Sequence, residues 1–243
     1  MREIVLDTET TGFEPHEGDR IVEIGAVELI GHVPTGRTYH QYINPMRSMP
    51  EGAFGVHGIG PDLLEPPRAA ENGEVTLRDK PVFADIAQNF LDFVGDAKMV
   101  IHNAAFDMKF LNAELGWLNR PHLPMDQSLD TLAIARRKFP GSPASLDALC
   151  RRFAIDNSNR TLHGALLDSE ILAEVYLELI GGRQPDFGLG AAASKSSSTA
   201  IASDDWRPQQ RPTPLSPRIT KEEAAAHHAF IESLGDGVLW NRD

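Results

Sequence analysis

Little in this sequence could staple or anchor it. A single cysteine, Cys150, stands among 243 residues, so no disulfide can form within the chain. That pattern predicts a reducing compartment. No apolar run approaches the ~20 residues that a helical membrane span needs. The opening residues, MREIVLDTE, bring in charge before a secretory core could form. The expectation is a soluble, cytoplasmic protein. Excess positive charge is also missing, because 23 Lys and Arg face 35 Asp and Glu, a formal net charge of −12. Chains that grip long duplex DNA alone usually carry a basic face, so tight independent binding to DNA is not expected. Two small basic clusters, Arg136-Arg137-Lys138 and Arg151-Arg152, read as solvated helix faces, with local phosphate contact as the alternative. No internal repeat is visible.

What is present is material for a core. Hydrophobic residues make up 41% of the chain, enough for one sizeable domain plus an extension. Up to Gly181-Gly182, apolar segments alternate with short turns, an α/β pattern. Residues 3–7 (EIVLD), 21–29 (IVEIGAVEL), 39–43 and 99–102 (MVIH) read as strands, and short loops between the early runs predict an antiparallel meander. Phe83, Ile86, Phe90 and Val94 recur at helical spacing. Residues 106–115, 128–137, 146–153 and 164–179 also read as helices, the last with Leu167, Ile171, Leu172, Val175 and Leu179 on one stripe. Residues 56–81, rich in Gly, Pro and acids, read as a long surface loop. Residues 190–219 are rich in Ala, Ser and Pro. They cannot bury enough apolar surface to offset their ordering entropy, which predicts a flexible linker.

Three places carry acids in suggestive positions. Asp7 and Glu9 follow the first strand in DTETTG. Side chains two apart on a strand share a face, so these carboxylates point the same way, repel, and rise in pKa when buried. A divalent cation would resolve the conflict, and Mg²⁺ prefers carboxylate oxygens while keeping several waters. Taken alone, D-x-E is an ordinary strand end. Asp107, in IHNAAFD, follows an apolar strand near a helix start, where an acid also suits the positive end of the helix dipole. His163 and Asp168 lie in HGALLDSEIL, with Gly164 setting His163 on a loop or first turn. Asp168 falls among Leu166, Leu167, Ile171 and Leu172, and a carboxylate near such a stripe needs a partner. A metal would serve. Singly, these two residues read as a loop histidine and an acid at the core edge.

In combination and in this order, the motifs resemble the DnaQ-like, or DEDDh, exonuclease family over roughly residues 1–180. Within it, they look most like the proofreading subunits of bacterial replicative polymerases. The resemblance implies a ribonuclease H-like α/β fold, a mixed five-stranded sheet flanked by helices, and an exonuclease domain over residues 1–182. It implies that Asp7, Glu9, Asp107 and Asp168 hold two Mg²⁺ or Mn²⁺ ions, which in such sites lie ~3.5–4 Å apart, with Glu9 as a bridge. One metal would acidify a water and the other would stabilise the leaving 3′ oxygen. His163 would take the water's proton, a task suited to a side-chain type that titrates near ~6.5. Val56 and His57, in VHGI, match a segment that holds the terminal nucleotide, and Thr10 matches a residue beside the scissile end. The expected product is a nucleoside 5′-monophosphate. A frayed 3′ end of DNA should be preferred, because a paired terminus must first unstack at a cost of a few kcal/mol.

The tail adds partners by the same resemblance. QPDFGL, within residues 183–189, looks like a glutamine-led motif that binds the bacterial sliding clamp through Gln184, Phe187 and Leu189. The other reading packs Phe187 and Leu189 back onto the domain. Thr220-Lys221-Glu222-Glu223 is a T-x-x-E capping box, followed by an apolar edge of Phe230, Ile231 and Leu234 and a helix-ending Gly235. A lone helix of this length is marginal in water, so residues 220–243 are expected to fold on a partner, the polymerase (alpha) subunit. Such a tether raises effective concentration and would explain the acidic charge. Two rivals are an exoribonuclease or oligonuclease of the same family and a non-catalytic bridge between polymerase and clamp. The tail argues against the first, and the complete set of five site residues argues against the second.

Overall fold

The computed structural model describes residues 1–71, 74–160, 162–182 and 219–233. The chain divides into two units, Met1–Phe187 and Gly188–Asp243. The first is built on a five-stranded sheet in the order β3-β2-β1-β4-β5. Its strands are β1 (Arg2–Thr10), β2 (Ile21–Ile30), β3 (Val33–Tyr42), β4 (Lys98–Ile101) and β5 (Ser128–Asp130). β1 pairs antiparallel with β2 and parallel with β4, so the sheet is mixed about its central strand. β2 pairs antiparallel with β3, and β4 parallel with β5.

The central strand is covered on both faces, and its apolar run reflects that. Ile4 and Leu6 join Phe83, Phe90, Met108 and Phe110 in one core. The last four come from α2 (Phe83–Val94) and α3 (Ala104–Trp117). Val5 points the other way and packs with Val27, Val100, Leu172 and Tyr176, the last two from α6 (Ala165–Ile180). Behind α6, Leu149 and Cys150 of α5 (Leu146–Phe153) and Ala135 of α4 (Thr131–Lys138) form a third cluster with Ile171 and Val175.

Three expectations need correction. Residues 128–137 are not one helix, because residues 128–130 form β5 and α4 starts at Thr131. The Asp130 carboxylate accepts from the backbone N–H of Leu132, at 2.9 Å, and of Asn103, at 3.0 Å. It thereby caps α4 and ties it to the start of α3. The third strand begins at Val33 rather than at residue 39, an edge strand whose first residues are exposed and lack an apolar alternation. Residues 56–81 are only partly a surface loop. They include the end of α1 (Glu51–His57), and Ile59 and Leu77 are buried against Val22 and Met49. In the second unit, α7 (Lys221–Ser233) carries the T-x-x-E cap, with Thr220 N–H donating to Glu223 Oε2 at 2.8 Å and Glu223 N–H donating to Thr220 Oγ1 at 3.2 Å. No described helix is long and apolar enough to cross a membrane.

One glycine sets how closely α6 approaches the sheet. Gly25 lies opposite Asp7 in the β1–β2 register. A Cβ there would sit 2.1 Å from Leu166 N and 2.2 Å from Ala165 C. Those are backbone atoms, so no side chain can give way. The contact is reinforced by Ser169 Oγ–H, which donates to Gly25 O at 2.9 Å, and by Ala165 N–H, which donates to the buried Glu23 at 2.9 Å. Gly25→Ala should therefore cost about 3 kcal/mol, the upper end for overpacking, and push the start of α6 off the sheet. Chemical denaturation would show this as a lowered midpoint. An unchanged midpoint would mean the helix shifts freely.

Candidate active site

The C-terminal end of β1 gathers the acids. Strand alternation sends Asp7 and Glu9 to the face covered by α6, and Thr8 to the face covered by α3. Two helices begin at this end of the strand, and each places an acid at its fourth residue, Asp107 in α3 and Asp168 in α6. Asn103, at φ 66°, makes the left-handed turn that starts α3. Thr8 Oγ1–H donates to Asp107 Oδ1 at 2.7 Å and fixes that carboxylate against the strand. Glu9, Asp107 and Asp168 are 8%, 2% and 3% exposed, while Asp7 keeps partial exposure to the cleft. The residues expected from the motifs thus converge from three elements far apart in sequence.

Their charges conflict. Burial, then the Asp107, Glu9 and Asp168 carboxylates, hold Asp7 well above the usual carboxylate range. Burial and Asp168 push Glu9 up to about 8. Burial raises Asp107 to about 7 despite the Thr8 hydrogen bond. Asp168 behaves differently, since its burial is more than offset by hydrogen bonds from His163 and Arg160, which leave it below its ordinary value. Mutually repelling acids with only oxygen donors fit a hard divalent cation such as Mg²⁺ or Mn²⁺. Among the described residues, one ligand atom each from Glu9, His163 and Asp168 lie within 4.8 Å of one another.

His163 stands outside the helix, as expected, with its N–H donating to Val56 O at 3.1 Å. Its Nδ1 is 3.3 Å from Asp168 Oδ2 and 2.8 Å from Arg160 Nη2. Beside the acids, a cavity of about 580 Å³ is lined by Thr10, Gly12, Phe13, Val56, His57 and Phe106, among others. Thr10 Oγ1–H donates to Gly12 O at 2.6 Å. The buried His57 accepts the Ile59 N–H on Nδ1 at 3.0 Å, so its neutral ring carries the proton on Nε2. Burial pushes His57 down to about 4 and keeps it neutral. A hydrogen bond to the Thr10 backbone works against that shift and ties the ring to the end of β1. Phe13 is 83% exposed and meets Phe106 edge-on, with ring centres 6.5 Å apart.

Several of these residues escape sequence reading. Thr8 lies between two flagged acids, but nothing links it to Asp107 until the strand and helix are packed. Glu23 is one acid in an otherwise apolar strand, which is a usable signal. Arg160, in NSNRTLH, matches no motif. Phe13, a lone aromatic after DTETTG, gives only a weak hint.

Comparison with known proteins agrees with this geometry. The Exonuclease (RNase_T) family model matches residues 4–176. The DNA polymerase III subunit epsilon of Rickettsia felis is 47% identical over 237 residues, covering 96% of this chain and 97% of the relative. That of Escherichia coli K12 is 42% identical over 262 residues, covering 98% and 97%. Among solved structures, the nuclease domain of 3′hExo, a DEDDh family member bound to rAMP, aligns with a TM-score of 0.58 at 18% identity, over 74% of this chain and 91% of that one. A zinc-bound E. coli ExoI–ssDNA complex aligns with a TM-score of 0.60 at 20% identity, over 76% of this chain and 41% of that one. These structures share the fold. The family match over most of the first unit and the near full-length relatives place the chain in the exonuclease family, with the DNA polymerase III epsilon subunits.

Proposed function

We propose that this chain is the 3′→5′ proofreading exonuclease of a bacterial replicative DNA polymerase, acting in the cytoplasm and releasing nucleoside 5′-monophosphates. The observation that carries the mechanism is the meeting of Asp7, Glu9, Asp107 and Asp168 at the end of β1, with His163 beside them. Two Mg²⁺ or Mn²⁺ ions held by these carboxylates would supply neutralisation of the scissile phosphate and acidification of a water. The residues of the chain do the rest. His163 accepts the water's proton. Thr10, Val56 and His57 border the cavity in which the terminal nucleotide would sit. Phe13 and Phe106 give the terminal base an aromatic wall, and base–aromatic stacking is worth ~1–3 kcal/mol. An unpaired terminus reaches that wall without the cost of unstacking.

The tail is the tether in this reading. α7 buries no residue of its own, and Phe230 is 61% exposed with Ile231 beside it. Such an edge suits docking on the polymerase (alpha) subunit. Leu234, all of the 190–219 linker but its last residue, and Gln184, Phe187 and Leu189, proposed to bind the clamp, lie outside the described residues.

Single-turnover digestion of 3′-labelled primers with Mg²⁺ tests this reading. A mismatched terminus should be cut faster than a paired one, and His163→Ala should slow release by about 10²–10⁴-fold, the range for lost general-base catalysis. Removing residues 183–243 should abolish co-elution with the polymerase subunit. Metal-dependent release from RNA alone, or no release by the folded chain, would overturn the proposal.

A further inference from the structure

Arg160 reaches into the site and holds one of its acids. Its side chain is 8% exposed. Its guanidinium forks onto Asp168, with Nε–H donating to Oδ1 at 2.5 Å and Nη2–H donating to Oδ2 at 2.6 Å. Nη1–H donates to Asp147 Oδ1 at 2.7 Å, and Nη2 lies 2.8 Å from His163 Nδ1. A bidentate guanidinium engages both oxygens of the carboxylate, so a metal would have to compete with Arg160 for Asp168.

The same guanidinium crowds the histidine. Nη2 lies 2.8 Å from His163 Nδ1, and Asp168 Oδ2 is 3.3 Å from the same nitrogen. Arg160 and Asp168 thus converge on one ring nitrogen.

We propose that Arg160 is a latch on the metal-free site, a positive charge that holds Asp168 and His163 until a divalent ion takes Asp168 from it. The inference rests on the reading of Asp168 as a metal ligand. Charge favours the exchange, because Asp7, Glu9 and Asp107 crowd the same cavity and one guanidinium neutralises only part of them. Asp147, with its side chain 45% exposed, gives the released guanidinium a place on the cleft wall. Arg160 is thus a positioning residue, acting through Asp168 and His163. The latch would keep the buried acid paired in the absence of metal, when an unpaired buried charge is costly.

Two measurements on the full chain test the latch. The first is Mn²⁺ binding, followed by the paramagnetic resonance of the free ion, for wild type, Arg160→Gln and Arg160→Lys. Loss of a competitor predicts binding roughly tenfold tighter in Arg160→Gln, a modest share of what breaking a buried ion pair is worth. Arg160→Lys, which keeps the charge and loses the fork, should fall between. The second is the Nε–H nuclear resonance of Arg160 in wild type. It should be protected from exchange without metal and lose that protection on adding Mg²⁺. This reading needs no variant, so it decides the matter even if Arg160→Gln fails to fold. A resonance unmoved by Mg²⁺ in a chain that binds Mn²⁺ overturns the latch and makes Arg160 a permanent brace, and equal or weaker Mn²⁺ binding by folded Arg160→Gln does the same. Failure of wild type to bind Mn²⁺ overturns the metal reading, and the latch falls with it.

Discussion

Asp7→Asn is expected to reduce nucleotide release by at least about 10³-fold, as loss of a key charge-stabilising group does, while making the metal-free protein more stable. Both effects have one cause. Asp7 faces Glu9 on one side and Asp107 and Asp168 on the others, and its pKa is raised by burial and by all three. That crowding serves a cation and burdens a fold without one. An amide keeps the size and removes the charge, so the metal-free fold should gain on the order of 1–3 kcal/mol at neutral pH. Single-turnover digestion read beside thermal unfolding in EDTA measures both. A variant that is inactive and also less stable would show that Asp7 is a structural acid.

The second large effect is a reversal of pH dependence by metal. Glu9 titrates near 8 in the folded chain against an ordinary 4.5, and Asp107 near 7 against 3.8. The folded state therefore holds protons that the unfolded chain has released, and stability must fall as pH rises through the folded values. His57, held down to about 4 from 6.5, works in the opposite direction between those values. His102 is also lowered by burial and adds to that opposing trend. The acids thus stand alone above about pH 6.5. Between pH 6.5 and 8 the metal-free protein should lose up to about 2 kcal/mol through Glu9 and under about 1 kcal/mol through Asp107, which releases its proton near 7. Saturating Mg²⁺ displaces those protons and should flatten the curve. Urea midpoints across this range, in EDTA and in Mg²⁺, give the comparison. Parallel curves would mean that the acids do not share a cation.

How much of this was legible in the sequence depended on where the physical signal lay. β1 was legible because a central strand buries both faces and its apolar run is continuous. α5 matches the expected residues 146–153, and the structure adds a cap, with Ser145 accepting the Ala148 N–H. The DEDDh motifs gave the acids, since each sits at an element end where chain direction is forced. β5 was not legible. Three half-buried residues carry no two-residue period, and Asp130 completes its role only by capping the next helix. Arg160 was invisible for a different reason. Its importance lies entirely in partners at positions 147, 163 and 168, and a lone arginine in a polar stretch looks the same whether or not those partners exist.

The wide sequence separation of the acids has a consequence for synthesis. Glu9 leaves the ribosome early, but Asp168 follows only after most of the first unit has been made. β1, β2 and β3 can pair as a local meander in the meantime. Contacts of such long range also form late. A nascent chain that stops before residue 160 lacks both His163 and Asp168, two members of the proposed site. In the proposed reading the acids meet only when α6 seats on Gly25, so cleavage would wait for that contact.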